Sequence, residues 1–132
     1  MKGKRKLLAT LLALCMLLSL LPVMALAAEP VEWTKVGTLE ELSAALEAGG
    51  NIQLTENITV ATAGWNITQD VVLDLNNQTI SSSYDQINNY IMTVRDASLT
   101  IMDTSADKGG KIEATDSSYG YGIQLRSGAS FT

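Results

Sequence analysis

The chain has 132 residues, nine of them basic and fourteen acidic, a net charge of −5, and no histidine. Four of the nine basic residues and the only cysteine, Cys15, fall within residues 1–27, so residues 28–132 carry five basic and fourteen acidic side chains, net −9. That balance repels phosphate backbones and argues against nucleic acid as a partner. Without Cys or His, the same stretch has no disulfide, no thiol nucleophile and little scope for metal or triad chemistry.

The N-terminus reads as a secretory signal peptide over 1–27. Lys2, Lys4, Arg5 and Lys6 form a basic start, Leu7 to Leu21 is an uncharged run of fifteen residues, and Pro22 breaks it. Ala25 and Ala27, flanking Leu26, supply the small side chains a signal peptidase needs. The basic end stays at the anionic cytoplasmic surface while the apolar run enters the bilayer. An uncleaved anchor is the rival reading, since Leu7 to Ala28 is 22 residues and just spans a bilayer. The expected location is extracellular or on the cell surface, with the membrane involved only through this segment during export.

A lead-in follows over 28–37, in which Trp33 and Val36 belong to a short strand. Thr38-Leu39-Glu40-Glu41 is a capping box: the Thr38 hydroxyl accepts from the Glu41 N–H while the Glu41 carboxylate reaches back. Leu39, Leu42, Ala45 and Leu46 then give one apolar face, and Gly49-Gly50 stops the helix. The predicted helix runs from Leu39 to Gly49.

After Gly50 the period changes from 3.6 to 2. Short β-type runs are predicted at Asn51–Leu54, Ile58–Val60, Trp65–Thr68, Val71–Leu75, Thr79–Ser81, Tyr90–Val94, Ser98–Met102, Lys111–Ala114, Ile123–Leu125 and Ala129–Thr132, separated by Gly, Asn, Asp and Ser. Thr, Ser and Asn supply 12, 10 and 7 of residues 28–132, a composition of strands and turns.

Internal repetition chooses among β architectures. Ile67–Leu75, Val94–Met102 and Leu125–Thr132 each read strand end, polar turn, new strand. The first two segments are 27 residues apart and the second two 31 to 32. A recurring unit of that length suits one coil of a parallel β-helix, with coils stacked about 4.8 Å apart over an apolar column. A small sandwich or meander is the competing fold.

Gly49-Gly-Asn-Ile-Gln-Leu-Thr-Glu-Asn-Ile-Thr-Val60 after an amphipathic helix, followed by Asp70-Val-Val-Leu-Asp-Leu-Asn-Asn-Gln-Thr-Ile-Ser81, resembles the opening of right-handed β-helix domains of the pectin lyase-like superfamily. It is especially similar to those in surface proteins of gut Firmicutes. The resemblance runs from about Val36 to Thr132. It implies a mainly β chain: a right-handed parallel β-helix of about three coils over 38–132, capped at its N-terminal end by the helix at 38–49; the strand that begins at Ala129 and stops at Thr132 with no capping segment reads as a β-helix truncated at the C-terminus. It also implies a Gram-positive-like source. It says little about function, because the superfamily holds lyases, hydrolases, adhesins and tailspikes.

Several groups are candidates for chemistry. The superfamily's lyases use carboxylate-bound Ca²⁺ with an Arg or Lys base, roles for which the resemblance offers Asp96, Asp103 and Asp107 with Arg95 or Arg126. The plainer reading is that these aspartates shape polar turns. Hydrolases of the superfamily use clustered aspartates, but here Asp70 and Asp74 stand four apart on an edge. Arg95 and Arg126 occupy equivalent places in successive repeats, where stacked guanidiniums hold an anionic sugar. Trp65, Tyr84, Tyr90, Tyr119 and Tyr121 are candidates for stacking on sugar faces, with Tyr119-Gly-Tyr121-Gly the best local case. Asn76-Asn77 reads as the start of an asparagine ladder. No catalytic set, metal site or cofactor is expected. The reading is a non-catalytic scaffold or adhesin contacting glycans or host and cell-surface components through Tyr119, Tyr121, Arg95 and Arg126. The alternative is the N-terminal part of a polysaccharide lyase or other polysaccharide-degrading enzyme whose active site lies beyond residue 132.

Overall fold

The computed structural model describes residues 4–6, 28–83, 90–115 and 121–132. The candidate signal peptide, with its cleavage residues Ala25 and Ala27, lies almost wholly outside the described residues. Among the described residues no helix is long and apolar enough to cross a membrane. Residues 31–132 form one compact unit and residues 1–30 a separate one.

The larger unit is mainly β. Its elements are β1 (Thr34–Val36), α1 (Leu39–Ala48), β2 (Gly50–Leu54), β3 (Ile58–Val60), β4 (Trp65–Ile67), β5 (Val71–Asp74), β6 (Thr79–Ser82), β7 (Tyr90–Val94), β8 (Ser98–Met102), β9 (Lys111–Ala114), β10 (Tyr121–Leu125) and β11 (Ser130–Phe131). All lie within three residues of the sequence expectations at either end.

The capping box forms as expected. Thr38 Oγ1 accepts from Glu41 N at 3.2 Å, and Glu41 Oε2 accepts from Thr38 N at 3.2 Å and from Gly37 N at 2.8 Å. The Gly37 amide bond does most to hold the Glu41 carboxyl below its ordinary pKa. Leu42, Ala45 and Leu46 turn inward and are buried. The helix stops one residue short of the expected end because Gly49 takes a φ of 78° and donates back to Ala45 O, a conformation glycine adopts without penalty.

The strands pair in three sheets, and every pairing is parallel. The first runs β1-β2-β5-β8-β11, the second β3-β6-β9 and the third β4-β7-β10. From β2 onward the chain visits first, second and third sheet in rotation. Register is set by apolar side chains of alternate residues. In the second sheet Ile58, Ile80 and Ile112 align; in the first, Ile52, Leu73 and Ile101; in the third, Ile67, Val94 and Leu125. The inward residues of all three sheets share one hydrophobic core with the buried face of α1. Along each column burial falls toward the last strand: Ile67 and Val94 are fully buried, whereas Leu125 is 49% exposed. Val71 and Leu99 are buried, and their partner Phe131 is 48% exposed.

The observed register joins the segments that the sequence comparison aligned. Ile67 pairs with Val94 and Val94 with Leu125, while Val71 pairs with Leu99 and Leu99 with Phe131.

Candidate functional site: a polar groove on the third sheet

Residues of β4, β7 and β10 alternate between the core and the outer side, although Ile91, outward by register, is buried as well. At one register level Asn66, Thr93 and Gln124 form a polar rung across the sheet. Two residues further along, just past the strand ends, Arg95 and Arg126 follow on the same side. Their backbones extend the ladder, Arg95 N donating to Ile67 O at 3.0 Å and Arg126 N to Val94 O at 2.9 Å. Their Cα atoms are thus about one strand spacing apart, roughly 4.8 Å.

Two depressions meet at these arginines. One of about 540 Å³ is lined by Arg95, Asp96, Arg126 and Ser127. The other, about 200 Å³, runs back over the polar rung and is walled by Trp65 and Tyr90. Gly64 makes this wall close-fitting: a Cβ there would sit 1.9 Å from the Tyr90 carbonyl oxygen. Arg126 Nε donates to Gln124 Oε1 at 2.9 Å, which orients that guanidinium along the rung. Among the described residues Arg95 has no side-chain partner.

The other candidates are engaged in holding the fold. Trp65 is half-buried, and its indole donates to Ser43 Oγ at 2.8 Å, tying β4 to α1. It is a packing residue that also lines the groove. Tyr121 pairs in register with Tyr90. Tyr84 and Tyr119 lie outside the described residues.

Asp74 departs from expectation. It points away from the core, yet it is fully buried, because the segment after β8 folds over it. Its Oδ1 accepts from Asn76 N at 3.0 Å and Thr104 N at 2.9 Å, and its Oδ2 from Thr104 Oγ1 at 2.6 Å and Gln53 Nε2 at 2.7 Å. Burial alone would raise its pKa; the bonds from Thr104, Gln53 and Asn76 outweigh this and hold it below the ordinary value. Asp70 Oδ1 accepts from Ser98 N at 2.8 Å, a bond between neighbouring turns.

Asp103 organises the loop before β9. It accepts from the Ser105 hydroxyl and N–H, from Asn77 N and from Gly110 N. These bonds, the Ser105 hydroxyl foremost, lower its pKa to about 2 against the opposing effect of burial. Asp107 is exposed on the same loop. Among the described residues no three carboxylates gather where a metal ion would sit. The Asn76-Asn77 pair does not begin an amide ladder. Asn76 Nδ2 donates to Leu54 O at 2.9 Å, and Asn77 Oδ1 accepts from Gly109 N at 3.1 Å. Both residues have positive φ, 46° and 64°, so their side chains meet backbone groups at the turns instead of one another.

The sequence reading missed the rung Asn66–Thr93–Gln124. The signal was present, because these residues recur at the same spacings, 27 and 31, that align Ile67, Val94 and Leu125. In comparisons with protein families, with curated proteins and with solved structures, no match to this chain was found.

Proposed function

We propose that residues 31–132 are coils of a right-handed parallel β-helix, of the pectin lyase-like kind, in an exported protein. In this reading it is a non-catalytic scaffold or adhesin at the cell surface that contacts glycans through the groove on the third sheet. The observation that carries the fold is the rotation of the chain through three all-parallel sheets. Parallel strands joined by crossovers are almost always right-handed, and one pass through three sheets makes one coil. The helix α1 packs beside β1 to β4, where a cap on the first coil belongs.

The groove supports the functional half. It combines amide and hydroxyl side chains in register, two guanidiniums and partly exposed aromatic edges, the mixture that recognises sugars through hydrogen bonds and apolar ring faces. Of the aspartates offered for acid–base chemistry, Asp74 and Asp103 are taken up by backbone and side-chain bonds. Export rests on the basic, apolar and Ala-x-Ala segments of residues 1–27.

Two measurements test this reading. In a Cys15→Ser background, cysteines introduced in place of Thr93 and Gln124 should form a disulfide on mild oxidation, since register brings them within bridging range. A pair at Thr93 and Arg126 should not, and equal oxidation of both pairs would refute the register on which the coil rests. The purified full chain should bind oligosaccharides on a glycan array without producing the unsaturated sugars of a lyase. Lyase turnover would overturn the non-catalytic assignment.

A further inference from the structure

We propose that Arg95 and Arg126 form a subsite for an oxyanion carried on the bound glycan, a carboxylate or a sulfate ester; this deepens the glycan reading above and rests on it. Arg95 and Arg126 follow the ends of adjacent strands at equivalent backbone positions, and both line one depression. Like charges at this separation repel, and proteins ordinarily relieve the repulsion by interleaving carboxylates. Among the described residues Asp96 is the one acidic residue lining the depression, and no ion pair joins it to either arginine.

The contrast with the rest of the unit sharpens the point. Residues 28–132 carry five basic side chains against fourteen acidic. Lys111 pairs with Glu113 at 3.0 Å, Lys108 Nζ donates to Asp103 O, and Lys35 stands by itself on β1 with no side-chain partner among the described residues. The unit's two arginines are instead placed together, the side chain of one oriented by Gln124 and that of the other without a partner among the described residues. A guanidinium offers planar, forked donors that match the two oxygens of a carboxylate or sulfate. Two guanidiniums borne on backbones one strand apart and lining one depression are placed to clasp one such group. The polar rung beside them then carries the neutral hydroxyls of the same sugar chain.

The test compares a uronate oligosaccharide, a sulfated oligosaccharide and a neutral oligosaccharide of equal length, with inorganic sulfate and phosphate, titrated into the full chain. The expected result is binding of at least one anionic oligosaccharide about tenfold or more tighter than the neutral one. Arg95→Gln and Arg126→Gln should each remove about that factor. Lys35→Gln, on the first sheet, should leave binding unchanged, and all three variants should keep the wild-type thermal transition. Equal binding of neutral and anionic oligosaccharides overturns the oxyanion subsite and leaves the glycan groove standing. Binding of inorganic sulfate or phosphate at the two arginines, with no oligosaccharide bound, upholds the oxyanion subsite and overturns the glycan reading. Binding of none of the five overturns both.

Discussion

Asp74 shows how much a single side chain can hold. It takes four hydrogen bonds from three separate segments, and each donor would be left without that partner if the carboxylate were removed. In Asp74→Asn the carbonyl can keep the two backbone donors, but the new amide faces the Gln53 amide. We expect a loss on the order of 1–3 kcal/mol, read as a lower urea midpoint at neutral pH. The same residue sets acid sensitivity. A carboxyl whose pKa is lowered by folding adds stability above its unfolded value, about 3.9, and that stability is lost as pH falls through the folded value. Asp74 and Asp103 are both lowered, Asp103 to about 2. Stability should therefore hold from neutral pH down to about 4.5 and fall steadily below it. Asp74→Asn should flatten part of that fall, and an unchanged acid profile would show that Asp74 contributes none of it. None of this was legible beforehand. Alternation put Asp74 on the outward face, correctly, but only the fold of the Thr104 segment buries it, and that contact spans 30 residues.

At the scale of elements, local chemistry did most of the specifying. Thr38 and Glu41 cap α1 through bonds that a four-residue motif dictates. Thr38→Ala should cost about 1 kcal/mol, measured as a lower thermal midpoint with little change in helical circular dichroism. Leu42, Ala45 and Leu46 hold the helix in place from the other side. The strands were equally readable, because Gly, Asn, Asp and Ser punctuate them and alternate residues are apolar. Their partners were readable only through repetition. The turn chemistry was not: Asn57, Asp70, Asn77 and Asp103 each accept from a backbone N–H of a different turn. A sequence shows that a turn is polar but not which neighbour it will be bonded to.

For the whole molecule, stability is graded along the columns of the core. Leu73 lies fully buried between Ile52 and Ile101, so Leu73→Ala should cost roughly 2–5 kcal/mol. Leu125 is inward by register yet 49% exposed, and Leu125→Ala should cost under about 1 kcal/mol, since little burial is lost. Denaturant midpoints of the two variants decide it; equal losses would mean that the last strands are as tightly enclosed as the middle ones. The functional reading is distributed in the same way. Arg95 and Arg126 could be paired from sequence because they follow the same apolar repeat. The polar rung beside them stayed hidden because Asn, Thr and Gln are unremarkable on any strand.

The corner between the third and first sheets has one further property. Between the aligned positions Ile67 and Val71 there are three residues, between Val94 and Leu99 four, and between Leu125 and Phe131 five, while the pairing on both sides stays in step. The corner therefore behaves as an expansion joint, absorbing added length without disturbing either sheet. Arg95 and Arg126 each occupy its first position, ahead of the growth. Insertions at this corner can reshape the rim of the groove while the two cations keep their alignment, which makes it a permissive place for grafting new loops.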